Sequence, residues 1–177
     1  FKVAQACIEA DASLIALSST SVYGTQEDRV DENCSDSELQ PQSPYATTKL
    51  KEEELISKLS KEKGLKAIHC RFGTIFGVSP GMRFHTAVNK FCWQAVMNQP
   101  ISVWSTAYDQ KRPYLDLLDA SRAIAFIIKN NIFDGQIYNV LTCNNTVREV
   151  VDTIKKFVPN LEIEFVDNRI MNQLSYR

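Results

Sequence analysis

The chain has 177 residues, 44% of them apolar, enough to bury a sizeable core in one globular unit. Its 20 basic and 21 acidic side chains leave a formal net charge of −1, so electrostatics give no argument for nucleic acid or a charged membrane surface. No apolar run approaches the roughly 20 residues of a membrane span and no signal-peptide pattern opens the chain, which reads as a cytoplasmic protein. The 5 cysteines are odd in number and form no Cys-x-x-Cys, so they read as reduced thiols; with His69 and His85 isolated, no metal site is expected.

In chain order, Phe1 to Ala10 reads as the tail of a helix and Leu14 to Leu17 as a strand that empties into the hydroxyls Ser18, Ser19 and Thr20. After Gly24 an acidic stretch, Glu27 to Gln42, has few apolar residues and reads as a surface loop. Ser43 then supplies a helix cap and Pro44 the φ of a first helical residue. Ala46, Leu50, Leu55, Ile56 and Leu59 recur at helical spacing, and Gly64 follows as a stop. Leu65 to Arg71 reads as the next strand, so strand, helix and strand make a parallel crossover unit. Gly77 to Gly81 is a turn cluster that marks a change of layer. Beyond it the pattern predicts a helix from about Thr86 to Asn98, a strand over Ile101 to Trp104, and a helix over Ala120 to Asn130 capped by Asp119. A strand over Gln136 to Leu141 follows, then a helix over Val147 to Val158 behind a Thr146/Glu149 capping box, and a strand over Leu161 to Val166.

Two of these pieces carry chemistry. A helix beginning at Ser43 puts Tyr45 and Lys49 one turn apart on one face. Of the 6 tyrosines, Tyr45 alone has a lysine four places on. A phenol needs neighbours that favour the phenolate before it can exchange protons near neutral pH, and an ammonium within a few Å is such a neighbour. Thr20 is the candidate third member, a hydroxyl at the end of a strand, the edge where open α/β sheets bind ligands. The plain alternative is a Tyr and a Lys on a solvated helix. Likewise Gly73 at a strand exit permits either close approach of a flat ligand or only a tight bend.

The ordered motifs Ser-Ser-Thr-Ser-Val-Tyr-Gly (Ser18 to Gly24), Ser-Pro-Tyr-x-x-x-Lys (Ser43 to Lys49) and Arg-Phe-Gly-Thr-Ile-Phe-Gly (Arg71 to Gly77) resemble those of the extended short-chain dehydrogenase/reductases. Lys-Arg-Pro-Tyr-Leu-Asp-Leu-Leu-Asp (Lys111 to Asp119) and Tyr-Asn-Val (Tyr138 to Val140) extend the resemblance. It implies an α/β fold: the C-terminal part of a doubly wound, Rossmann-like parallel-sheet domain with a small α+β substrate domain. Residues 1–76 would be the partial catalytic domain and 77–177 mostly the substrate region, with 115–145 returning to the sheet. The 6 glycines form no Gly-x-Gly, so the nucleotide-binding half of a complete member, with its Gly-rich turn, is expected to lie outside this chain, and a tail beyond Arg177 with it.

By resemblance, Thr20, Tyr45 and Lys49 are catalytic, and Ser18, Ser19, Tyr45, Lys49, Phe72 and Gly73 bind NAD or NADP. Thr20, Thr74, Arg83, Asn89 and Arg112 contact a nucleotide-sugar substrate, with Arg112 on its diphosphate. Thr74 replaces an Asn common in the family, and Asp116 a His. For Arg83 and Asn89 a solvated helix face, and for Arg112 a surface salt bridge, remain the alternatives. The implied reaction is transient oxidation of a sugar hydroxyl, as in a nucleotide-sugar epimerase, with the complete protein a homodimer. The dehydratases place Asp-Glu directly after their Thr, where this chain has Ser21 and Val22, which disfavours dehydration. A reductase, a decarboxylase, a non-catalytic dinucleotide sensor, and a chain that is inert without its nucleotide-binding half are the other readings.

Overall fold

The computed structural model describes residues 1–24 and 30–166. Helix α1 (Lys2–Glu9) precedes strand β1 (Leu14–Ser19), and α2 (Pro44–Lys63) leads to β2 (Ala67–Phe72). Strand β3 (Thr74–Phe76), helix α3 (Ala87–Val96) and strands β4 (Ile101–Trp104) and β5 (Lys111–Asp116) follow. Then come α4 (Leu117–Lys129), β6 (Ile137–Val140), β7 (Cys143–Thr146), α5 (Val147–Lys155) and β8 (Ile163–Val166). Residues 25–29, which include the start of the acidic stretch, lie outside the described residues; beyond them that stretch holds a single 3₁₀ turn at Asp36–Glu38.

The ends of α2 follow local chemistry. Ser43 Oγ accepts the Ala46 N–H at 3.1 Å, and Pro44, which has no N–H to leave unpaired, sits in the first turn. Gly64 closes the helix in the left-handed region, φ 68°, ψ 26°. One expectation about caps is corrected. Asp116, not Asp119, caps α4 by accepting the Leu118 N–H at 2.7 Å. Asp119 lies in the first turn instead, where it accepts from Thr142 and Arg122 and favours the positive end of the helix dipole. The capping box at Thr146 and Glu149 forms as its spacing predicts.

Strand β2 is the centre of a parallel sheet of order β1-β2-β6, and every one of its residues is buried. Its side chains alternate between two faces. Ala67 packs with Ala16, Ile56, Leu59 and Leu65 under α1 and α2, while Ile68, Cys70 and Phe72 pack with Leu115, Ala120 and Ile127 under α4. With helices on both faces, this is the doubly wound arrangement that the β1-α2-β2 crossover predicts. A second core joins α3, α5 and β4 through Phe91, Ile101, Val103, Val147 and Val151. Beside it lie a small sheet β3-β5-β7, parallel then antiparallel, and the parallel pair β4-β8. No described helix is long and apolar enough to cross a membrane, and among the described residues no three His, Cys, Asp or Glu side chains gather as a metal would need.

Candidate active site

At the exit of β1 the chain turns at once into a 3₁₀ helix, Thr20–Tyr23, whose cap is Ser19. Ser19 Oγ accepts the Ser21 N–H at 3.2 Å. That turn ends the alternation of the strand and swings Thr20 inward. Its hydroxyl donates to the Phe72 carbonyl at 3.4 Å and the residue is 6% exposed. Gly24 then leaves the turn at φ 69°, ψ −150°, and a Cβ there would lie 1.9 Å from the Gln40 carbonyl oxygen. The exit of the hydroxyl-bearing turn is thus pressed against the segment that enters α2, three residues before its cap.

This closeness sets Tyr45 and Lys49 beside the end of β1. The two residues line one cleft of about 770 Å³ together with Ser18, Ser19, Phe72 and Gly73. Thr74, Arg83 and Asn89 form the far wall. The Tyr45 phenol is 57% exposed. Lys49 Nζ donates to the Leu17 carbonyl at 2.9 Å and to Glu52 at 2.8 Å, which fixes the ammonium at the cleft wall and leaves one of its three N–H donors for a ligand. Asn89 is not on a solvated face: its side chain accepts the Gly77 N–H and donates to the Arg83 carbonyl, both at 3.1 Å, so it ties the turn to α3.

Two expected site residues are not part of this cleft. Thr20 lines a separate small cavity with Tyr23, Pro113 and Asn139; among the described residues Ser18 and Ser19 are the β1 hydroxyls that line the cleft. Arg112 lines a neighbouring cavity of about 250 Å³ with Lys90, Phe91, Trp104 and Tyr114. Thr74 and His85 border both cavities, so a long ligand could run from one into the other. The Tyr114 hydroxyl is buried there without a hydrogen-bond partner among the described residues, and burial pushes its phenol up.

A buried polar cluster beneath the cleft has no signature in the sequence. Glu53, 3% exposed, accepts the Ser18 hydroxyl and the Arg71 guanidinium. Arg71 Nε lies 3.0 Å from Oε1 and Nη2 2.7 Å from Oε2. Burial opposes the charge of Arg71, but the hydrogen bonds and charge of Glu53 outweigh it and hold the guanidinium protonated. Its Cζ also lies 4.8 Å from the Tyr23 ring centroid, and the Tyr23 hydroxyl donates to Asn139 at 2.9 Å. Burial raises the Tyr23 phenol, partly offset by Arg71. On the same strand His69 is fully buried beside Ser57, and desolvation lowers its pKa.

The model of the NAD dependent epimerase/dehydratase family matches residues 1–140. The chain belongs to this family. A trifunctional UDP-glucose 4,6-dehydratase/UDP-4-keto-6-deoxy-D-glucose 3,5-epimerase/UDP-4-keto-L-rhamnose-reductase of Arabidopsis thaliana is 30% identical over 92% of the chain and 24% of its own length. An uncharacterized UDP-glucose epimerase of Bacillus subtilis is 28% identical over 78% of the chain and 42% of its own. The UDP-glucose 4-epimerase of Thermus thermophilus, solved with NAD, superposes with a TM-score of 0.78 at 23% identity over 98% of the chain and 58% of its own. A dTDP-glucose 4,6-dehydratase of Bacillus anthracis, also solved with NAD, gives 0.83 at 20% identity over 98% of the chain and 55% of its own. The chain therefore spans a quarter to under half of these curated relatives and just over half of these structures.

As a member of an NAD dependent family, the chain should offer a place for the nicotinamide end of that cofactor. The lining fits it: Gly73, without a side chain, at the exit of β2, the Ser19 hydroxyl, and the Lys49 ammonium. A pyrophosphate needs closely spaced glycines at a strand-to-helix turn, and no Gly-x-Gly occurs in the sequence.

Proposed function

We propose that this chain supplies the proton-transfer and sugar-nucleotide-binding part of an NAD-dependent nucleotide-sugar epimerase. The observation that carries the reading is the meeting of Tyr45, Lys49 and Ser19 on one cleft bordered by Phe72 and Gly73. In that cleft Tyr45 takes the proton of a sugar hydroxyl as the carbon-bound hydrogen leaves as hydride, so the alcohol becomes a ketone. Bound NAD supplies the hydride acceptor and later the donor. Lys49 holds the nicotinamide ribose with its remaining N–H and places a positive charge beside the developing phenolate. Ser19 takes the role expected of Thr20 and orients the reacting oxygen. Arg112 and Lys90, in the neighbouring cavity, would hold the diphosphate end of the substrate.

A dehydratase is the competing reading, since relatives of both kinds match. Removal of water needs a carboxylic acid and base beside the sugar. The two residues after Ser19 are Thr20 and Ser21, and neither carries a carboxyl group, which favours epimerisation.

In the intact protein, Tyr45→Phe should leave nucleotide-sugar affinity within about threefold while turnover falls by roughly 10²–10⁴-fold. Near-normal turnover would end the assignment. NMR analysis of the product from UDP-glucose separates a C4 epimer from a 4-keto-6-deoxy sugar, and the latter would replace epimerase by dehydratase.

A further inference from the structure

We infer that Glu53 is a positioning residue for the reaction, a role that rests on the proposed use of Tyr45, Lys49 and Ser19. Tyr45, Lys49 and Glu53 stand at successive four-residue steps on α2, one stripe running from the cleft mouth into the core. The outer two meet the cleft, and the innermost is buried. Through that stripe α2 grips adjacent residues of β1: Lys49 donates to the Leu17 carbonyl, and Glu53 accepts the Ser18 hydroxyl. Ser19, the hydroxyl offered to substrate, comes next.

Glu53 also carries the grip across to β2. Arg71 meets both of its carboxylate oxygens, a planar fork that fixes angle as well as distance. Arg71 in turn lies against Tyr23, the last residue of the turn that follows Ser19, and Tyr23 is tied to Asn139 on β6. One carboxylate thus sets the Tyr45 helix, the Ser19 strand end and the Phe72 strand relative to one another. Stability alone does not call for such a group, because a buried ion pair exchanged for apolar side chains of similar volume often leaves a protein as stable as before. What the apolar set cannot supply is direction, and a misplacement of about 1 Å in an active site can cost on the order of 10²-fold in rate.

The test uses that difference in the intact protein. Ser18→Ala/Glu53→Leu/Arg71→Met removes the polar cluster and fills its space. The expected result is a melting temperature within ~5 °C of wild type, KM for UDP-glucose within about threefold, and kcat lower by roughly 10–100-fold. Independently of activity, acetylation of Lys49 by acetic anhydride, read by mass spectrometry against exposed Lys58, should quicken at least about threefold as its hold on Leu17 loosens. Wild-type kcat and Lys49 labelling in a stably folded triple variant would overturn the inference. Should the triple variant fail to fold, Ser18→Ala decides by the same two readouts, since it removes one hydroxyl. If wild type shows no turnover of any nucleotide sugar, the proposed function fails, and unchanged labelling of Lys49 would then sink the positioning role as well.

Discussion

Gly24→Ala tests the placement of α2 most directly, because two separate costs can be read from the structure. The first is conformational. At φ 69° and ψ −150° Gly24 occupies a region that is almost exclusively glycine's, and a side chain there costs about 1–3 kcal/mol. The second is collision: the new Cβ would stand 1.9 Å from the Gln40 carbonyl oxygen, a gap that must widen to 3.0 Å or more, a shift of about 1 Å. Forcing such a shift on packed backbone adds roughly 1–3 kcal/mol, for a total near 2–6 kcal/mol. Gly64→Ala is the matched control. It has nearly the same φ, 68°, yet its new methyl would meet no neighbouring group within 4 Å, so it should cost only about 1–2 kcal/mol. Urea unfolding followed by circular dichroism gives both losses, and thermal melting should register each kcal/mol as about 2–4 °C of melting temperature. Hydrogen exchange at the Ala46 amide, which Ser43 caps, should quicken in Gly24→Ala and not in Gly64→Ala. Equal destabilisation by the two substitutions would refute the claim that Gly24 sets the distance between the strand exit and the Tyr45 helix.

Glu53→Leu alone strands the buried Arg71 charge and should lower stability by about 3–5 kcal/mol in urea unfolding, with much of that loss recovered when Arg71→Met is added. His69 has its pKa lowered by burial, so the unfolded chain takes up a proton first as pH falls. Stability should be flat above about pH 6.5 on this account and decline below it, with a slope of at most roughly 1.4 kcal/mol per pH unit, until the folded form also titrates. His69→Gln should flatten that part of the curve between about pH 7.5 and 5.5. Thr146→Ala breaks the capping box of α5 and should cost about 1 kcal/mol, measured by thermal melting.

Much of the site was legible because it rests on chemistry a few residues long. Ser43, Pro44 and Gly64 announce both ends of α2, and the helix then places Tyr45 and Lys49 without help from the rest of the molecule. The strand that empties into Ser18 and Ser19 was likewise readable from its apolar run. Which of the hydroxyls Ser18, Ser19 and Thr20 meets the cleft is not legible in the run itself, because a 3₁₀ turn begins at Thr20 and directs its hydroxyl to the Phe72 carbonyl. Glu53 was invisible in the run Lys51-Glu52-Glu53-Glu54, which reads as a solvated face; only the pairing of β1 with β2 brings Ser18 and Arg71 beneath it. Strands as short as Thr74–Phe76 and Cys143–Thr146 have too few residues for a period, and their partners are distant in sequence. Arg112 was identified as an anion-binding candidate, but which of two adjoining cavities it lines depends on those same pairings.

Strand β1 has β2 on one side only among the described residues, so every second N–H and C=O along Leu14 to Ser19 points away from the ladder, and Lys49 occupies just one of them. A row of this kind is a template for extended peptide from another molecule. An extended strand added along that row would cover the approach to Ser19 at its end. Ligand titrations on the chain belong at high dilution, with particle size followed alongside.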